Sequence, residues 1–315
     1  MVIETQDGVA ASFILLSYNQ EDTICGAVQS VLAQACEPIE IILSDDASTD
    51  STFDIIDALA KAYDGPHRVV ARRNDVNLGT NRHIEYAIEL AASDLMIWTA
   101  GDDTNDPTRA QCVIDAYRQT SAKLIFSDAR TVASDGRPGR DGYKNALFYR
   151  AHTLQDAALS FELYLGATAA WHRELYRKYG GFPRKDAFED LVLGFRAALE
   201  GSTHYIEKDL VTYKEGVGIS SNLSRHVSKL SNQQRRIAVL KSQIAVLEQR
   251  QADAAIFGLG ESDPIRVMLA KRTAVLQMRL IYYAFSLPAC RPYLAQPGRL
   301  AHALLSEMIR DMRKR

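Results

Sequence analysis

Four short stretches of this sequence put together residue types that could do chemistry. Ser17-Tyr18-Asn19 offers a hydroxyl, a phenol and an amide, while Asp45-Asp46, Asp102-Asp103 and Glu189-Asp190 are three pairs of adjacent carboxylates. Adjacent side chains on a segment leaving a strand point apart, so Asp102 and Asp103 cannot both be satisfied by one surface ion pair. A divalent cation takes hard oxygen ligands and is one natural recipient for at least one of them. The plainer alternative is an Asx turn leading into a helix, with Asp106-Pro107 as N-cap and first helical residue. Glu189-Asp190 stands before an apolar helix and could simply oppose the helix macrodipole.

Three of these stretches follow buried strands. Residues 11–16, 39–43 and 95–98 are short apolar runs, with a third strand predicted over 68–72 and a further short one over 123–126. Between them lie amphipathic helices with Ile24, Ala27, Val28, Val31 and Leu32, then Phe53, Ile56, Leu59 and Ala60, then Ile84, Ala87, Ile88 and Ala91 on one face. Strands and helices alternating at this spacing predict an α/β fold, a mostly parallel sheet flanked by helices. In such a sheet ligands sit beyond the carboxyl ends of the strands, where Ser17, Asp45-Asp46 and Asp102-Asp103 fall.

No glycine-rich phosphate cradle follows strand one, and GxxxxGK[ST] is absent. A diphosphate ligand would therefore be held by a cation and side chains, which argues against a dinucleotide-dependent dehydrogenase or a P-loop enzyme. In that order, Ser17-Tyr18-Asn19, Asp45 to Thr52, Arg73-Asn74 with Asn77-Leu78-Gly79, Gly101-Asp102-Asp103 and Phe188-Glu189-Asp190 resemble the ordered signature of family 2 glycosyltransferases of the GT-A fold. The resemblance covers roughly residues 10–220 and implies a Rossmann-like sheet with a C-terminal α-helical appendage, divided as 1–220 and 221–315. It further implies an inverting enzyme that moves a sugar from a nucleoside-diphosphate sugar, UDP- or dTDP-linked, to a hydroxyl of a glycan or lipid-linked acceptor in bacterial surface or exopolysaccharide synthesis.

By the same resemblance Ser17, Tyr18, Asn19 and Asp46 would bind the nucleotide. Tyr18 would line the base pocket and Asp46 would accept the N3–H of a uracil-like ring. Arg82 would contact phosphate, Asp102 the ribose or sugar and also the metal, and Asp103 the divalent metal, Mn2+ or Mg2+. Asp190, with Glu189, would supply the base. The sequence departs from the plain DxD pattern, with Ala100 at the first acidic position. Two rivals share part of the pattern: a nucleotidylyltransferase, which would need a glycine-rich basic loop after strand one, and a catalytically silent sugar- or partner-binding protein on the same scaffold.

Trp171-His172 is a candidate acceptor contact, because an indole can stack on a sugar ring, with core packing as the alternative. The segment from Ala133 to Arg150, with Tyr143 and Tyr149, reads as a loop over the active edge. From Leu223 the texture becomes helical, with Leu230, Ile237, Leu240, Ile244 and Leu247 at threes and fours. That stripe could pair two chains as a short coiled coil in a homodimer or pack back on the catalytic domain. Further helices are predicted over 264–285 and 300–309.

Net charge is −2, but residues 265–315 carry ten Lys/Arg against Glu307 and Asp311. This excludes a general pull toward nucleic acid and suits peripheral contact of the C-terminal helices with an anionic membrane. Cys25, Cys36, Cys112 and Cys290 have no metal-finger spacing, the first residues lack the pattern of a signal peptide, and no apolar run is long enough to span a bilayer. A cytoplasmic setting is expected, at or near the inner face of the membrane.

Overall fold

Alternation of side chains across the strands divides the apolar residues between two faces of one sheet. Phe13, Leu15, Ile41, Leu43, Leu95 and Ile97 point to one side and meet Ile24, Ala27, Val28, Val31, Val113 and Ile114; Ile14, Ile42, Met96 and Trp98 point to the other and meet Ile84, Ala87, Ile88 and Val192. The computed structural model describes residues 9–133, 137–182, 187–214, 231–283 and 290–312.

The strands are β1 (Ser12–Ser17), β2 (Glu40–Asp45), β3 (Arg68–Arg73), β4 (Leu95–Ala100), β5 (Thr104–Asn105), β6 (Leu124–Val132), β7 (Ala170–His172) and β8 (Thr203–Lys214). They form one eight-stranded sheet in the order β3-β2-β1-β4-β7-β6-β8-β5. β1 to β4 are mutually parallel where they pair, with α1 (Ile24–Leu32), α2 (Thr52–Lys61) and α3 (Thr80–Leu90) as crossovers. β7 is antiparallel to both β4 and β6, and β6 pairs with β8 in parallel. The register pairs Ser17 with Asp45, Asp45 with Arg73 and Leu16 with Ala100, so the turns after β1, β2 and β4 leave one edge together.

Beyond β5 come α4 (Arg109–Thr120), α5 (Leu154–Leu159), α6 (Glu174–Arg177) and α7 (Glu189–Leu199). α6 is a single turn, and the chain leaves it before the left-handed Gly180 and Gly181. β6 runs on to Val132, well past the four residues expected. β8 was not expected at all; its sequence carries exposed charges at Glu207, Lys208 and Asp209 and lacks a clean apolar alternation. The stretch read as a loop holds two short 3-10 turns, tied down by Tyr143 Oη donating to Ala129 O at 2.9 Å and Tyr149 Oη to Ser127 O at 3.1 Å.

Three helices follow: α8 (Asn232–Phe257), α9 (Pro264–Ile281) and α10 (Pro297–Met312). Ser231 and Gln234 form a capping box that starts α8, and Gly258 at φ 107° ends it in the left-handed region that favours glycine. Leu240, Ile244 and Leu247 pack with Phe195, Leu199, Leu269 and Leu276, so the stripe that could have joined two chains is covered within one. Leu230, the first residue of that stripe, lies outside the described residues, as do residues 284–285 at the end of the next expected helix. Among the described residues no helix is long and apolar enough to cross a membrane.

Candidate active site

The loops after β1 and β2 are laced together. Asn19, at φ 50°, donates its backbone N–H to Ser48 Oγ at 2.9 Å and accepts from Thr49 N at 2.8 Å through Oδ1. Ser17 Oγ reaches Asp45 Oδ1 at 3.3 Å, and Asp45 also takes the Ser48 N–H at 2.8 Å and an ion pair with Arg73 at 3.6 Å. Asp45 therefore builds the turn. Asp46, also buried, accepts from Asn74 Nδ2 at 2.6 Å, Leu78 N at 2.8 Å and Gly79 N at 2.9 Å. An ionised carboxylate has about four acceptor positions, so the chain's own donors take three of those on Asp46. Tyr18 stands 39% exposed at the rim, and Arg82 is exposed on α3. Its neighbour His83 is buried, 2.7 Å from Ser44 Oγ, and burial pushes its pKa down to about 4.

The second constellation follows β4. A Cβ on Gly101 would come within 2.6 Å of Gln20 Oε1 and 2.8 Å of Ile24 Cδ1, so a larger residue in the turn into the acidic pair would have to displace the tips of those two side chains. Gln20 in turn donates to Asp102 Oδ1 at 3.0 Å. Asp102 and Asp103 are both buried, and burial raises both pKa values. Asp103 rises to about 8 through burial first and the Asp102 charge second, offset in part by the backbone N–H and ammonium group of Lys214. Its Oδ1 is buried with no hydrogen-bond partner.

Two adjacent desolvated carboxylates with an orphaned oxygen fit a divalent cation, whose charge would reverse the burial penalty. Ala100 contributes no ligand. Among the described residues no group of three or more His, Cys, Asp or Glu side chains is placed to hold a metal. A cation on Asp103 and Asp102 would leave its other positions to water and ligand oxygens, as Mg2+ sites commonly do.

Arg109 stands behind this pair, fully buried, and donates to Trp98 O at 2.9 Å, Ala167 O at 3.2 Å and Ala169 O at 3.2 Å. It clamps the end of β4 to the turn at Gly166–Thr168. The antiparallel register sets that turn: Leu95 faces His172, Ile97 faces Ala170 and Trp98 N donates to Ala169 O, so the chain before β7 lies beyond the carboxyl end of β4. A Cβ built on Gly166 would sit 3.4 Å from Asp190 Cβ. Both acidic pairs thus come to one end of β4.

Glu189 and Asp190 open α7, and Asp190 Oδ1 accepts the Leu191 N–H at 2.7 Å. They are crowded by protein atoms yet keep part of their surface open. Burial raises Asp190 to about 6, opposed by the Leu191 N–H and by Arg250; burial and the Asp190 charge raise Glu189 to about 7. Arg250 reaches in from α8, fully buried, and donates to Ala158 O at 3.0 Å, Ser160 O at 2.7 Å and Leu191 O at 3.3 Å. One turn away Asp253 pairs with Arg196 of α7 at 2.9 Å.

The same register corrects the expected acceptor contacts. Trp171 and His172 face Met96 and Leu95, at the amino end of β4 and away from the acidic pairs. Trp171 is buried and stacks on Trp98 with ring centroids 4.9 Å apart; His172 stacks on Tyr117 at 5.6 Å. An exposed aromatic side chain next to Glu189-Asp190 is Phe188, 47% exposed at the N-cap of α7. Gln20, Arg109, Lys214 and Arg250 were missed. Arg109 had a signal, since it shares the inward helix face with Val113 and Ala116; Lys214 ends a strand the sequence did not reveal, and Arg250 comes from a distant helix.

Residues 12–180 match the profile described as glycosyl transferase family 2. Relatives include an uncharacterized protein of Mycobacterium tuberculosis, 27% identical over 206 residues, covering 64% of this chain and 58% of that protein. Another is the abequosyltransferase RfbV of Salmonella typhimurium, 30% identical over 126 residues, 39% of this chain and 37% of RfbV. The chain thus spans less than two thirds of the length of these curated relatives. Among solved structures, S. aureus TarS in complex with UDP-GlcNAc superposes with a TM-score of 0.59 at 16% identity, covering 93% of this chain and 79% of that one. The mannosyltransferase PcManGT from Pyrobaculum calidifontis, in complex with GDP-Man and Mn2+, gives 0.53 at 18% identity over 95% and 87%. With more than half its length matched to the profile and a GT-A sheet beneath it, the chain belongs to glycosyl transferase family 2.

Proposed function

We propose that this protein is an inverting, metal-dependent glycosyltransferase that moves a sugar from a nucleoside-diphosphate sugar to a hydroxyl of a glycan or lipid-linked acceptor in bacterial surface polysaccharide synthesis. The observation that carries this reading is the arrival of two acidic pairs, the buried Asp102-Asp103 and the partly exposed Glu189-Asp190, at one end of β4. Relatives named for polysaccharide pathways, such as RfbV and the succinoglycan biosynthesis protein ExoO of Rhizobium meliloti, support the pathway class. Neighbours whose structures hold UDP-GlcNAc or GDP-Man with Mn2+ support a nucleotide-sugar donor and a divalent metal.

In this reading Tyr18 and the fourth acceptor position of Asp46 face the base. A uracil or thymine ring offers the N3–H that a carboxylate accepts, which favours a UDP- or dTDP-sugar. Asp102 and Asp103 would hold the cation, which when bound supplies charge neutralisation at the diphosphate. Lys214 adds a fixed positive charge on the same side. Asp190 takes the proton of the acceptor hydroxyl. The freed oxygen forms its bond to the anomeric carbon as the bond to the diphosphate oxygen breaks, and that electron pair leaves with the diphosphate. One displacement inverts the centre, and the chain need supply only one base. Residues 1–220 carry both pairs, while residues 221–315 lend Arg250 behind the base.

The test is a thermal-shift series of UDP, dTDP and GDP with and without Mn2+, followed by hydrolysis and transfer assays with the matching donors. Stabilisation should follow occupancy, be larger with metal than without, and be greatest for UDP or dTDP. No nucleotide-dependent shift and no turnover with any donor would leave a silent binding protein, the reading that Ala100 favours. The loop after β1 weighs against a nucleotidylyltransferase, because residues 17–22 contain no glycine.

A further inference from the structure

α10 is turned the opposite way to an ordinary surface helix. Its buried positions include Glu307, which takes two bonds from Arg236 at 3.0 and 2.6 Å and one from Tyr283 Oη at 2.9 Å, with Arg279 at 3.8 Å. Asp311 also faces inward, accepting from Tyr283 Oη at 3.2 Å. The outward positions of its last two turns are apolar: Leu305 is 48% exposed, Met308 40%, Ile309 38% and Met312 59%. Their spacing of three and four residues makes one continuous stripe on the helix. Leu294, just before the helix, is more exposed still.

A soluble helix buries its apolar stripe, and here the charged residues are buried and the apolar ones bare. Packing has not forced this, since the ion-pair cluster beneath α10 is complete without them. Arg291, before the helix, and Arg299, in its first turn, are exposed in the same C-terminal segment. The only acidic residues from 265 onward are the two that face inward. An exposed apolar stripe in a segment whose exposed charges are cationic and whose acids face inward complements a surface with apolar depth and negative charge.

The geometry points to α10 as an interfacial helix: Leu305, Met308, Ile309 and Met312 enter the boundary layer of an anionic lipid bilayer, with Arg291 and Arg299 held at the headgroups. The surface is distinct from the acidic pairs, and its occupant is the bilayer rather than the sugar acceptor. It stands whether or not the transfer reading does.

The test is co-sedimentation of the full chain with vesicles of phosphatidylglycerol and phosphatidylcholine, against vesicles of phosphatidylcholine alone. The native chain should pellet with the first and remain free with the second, and the bound fraction should fall as added salt shortens the screening length. Leu305→Ser with Met308→Ser and Ile309→Ser should cut partitioning by about tenfold or more, because the buried apolar area sets the affinity. Arg291→Glu with Arg299→Glu should do the same while leaving the apolar face intact. Both variants should keep the native melting temperature and the native nucleotide-dependent thermal shift in vesicle-free buffer. Equal binding to neutral vesicles, no binding to either, or unchanged binding of both variants would overturn the proposal. So would a native dimer that the serine variant dissolves without a change in vesicle binding, since a second copy would then cover the stripe.

Discussion

The chain carries two adjacent carboxylate pairs at one end of one strand, and what lies behind each pair differs. Asp102-Asp103 leaves a strand on a glycine turn, where burial and the Asp102 charge raise Asp103 against the opposing charges of Lys214 and Arg109, and its Oδ1 has no hydrogen-bond partner. Glu189-Asp190 opens a helix, where the Leu191 N–H satisfies one oxygen and Arg250 opposes the burial penalty. The first pair is under-neutralised, and a cation would complete it. The second is balanced near neutrality, where a group can both accept and release a proton. Like residue types acquire different charge balances from their surroundings.

Breaking either pair gives the largest expected effect, with different signatures. Asp103→Ala should lower turnover by about a thousandfold or more and abolish the Mn2+-dependent part of the nucleotide thermal shift. Asp190→Asn should lower transfer by about 10²–10⁴-fold while leaving that shift intact. If both variants lose the shift equally, the two pairs do not have separate tasks.

Next come the two buried arginines. Arg250→Met and Arg109→Met should each destabilise the chain by about 3 kcal/mol or more in urea unfolding, because buried carbonyls lose their donors. Only Arg250→Met should also move the acidic limb of the transfer rate upward in pH, since Arg250 is the one opposing the rise at Asp190. An equal displacement of the limb in Arg109→Met would erase the contrast between the pairs.

In the native chain that limb should lie near pH 6–7, with activity rising as pH rises, because Asp190 and Glu189 are pushed up to about 6 and about 7 and the base works ionised. The pair titrates together, so the profile reports it as a unit. A flat profile down to pH 5 would argue against either residue as the base.

The smallest effect is expected at His83. Burial holds it near 4, below its ordinary 6.5, so its stability contribution is complete above about pH 6.5 and is lost as pH falls toward 4. Melting curves of His83→Gln against the native chain should converge across that window.

Much of the fold was legible because the first strands are buried on both faces and write themselves as apolar runs between helices of 3.6 period. β8 was not, since a charged strand paired to the β6 and β5 side of the sheet carries little apolar signal. The acidic pairs were legible as residue types, and the ordered motifs placed them near a ligand. By type alone Trp171 fitted a sugar platform and a core residue equally, and the register of one strand put it in the core against Trp98.

The sequence by itself determined the alternation of strands and helices, the edge where β1, β2 and β4 release polar residues, and the family to which the chain belongs. Only the tertiary structure decided that Gly166 brings Asp190 to the end of β4, that Arg250 of a helix sixty residues later stands behind it, and that α10 shows its apolar side outward. Local periodicity reports which side of an element is apolar. Which distant element covers that side, and which charge is thereby buried beside which, depends on contacts between residues far apart in the chain.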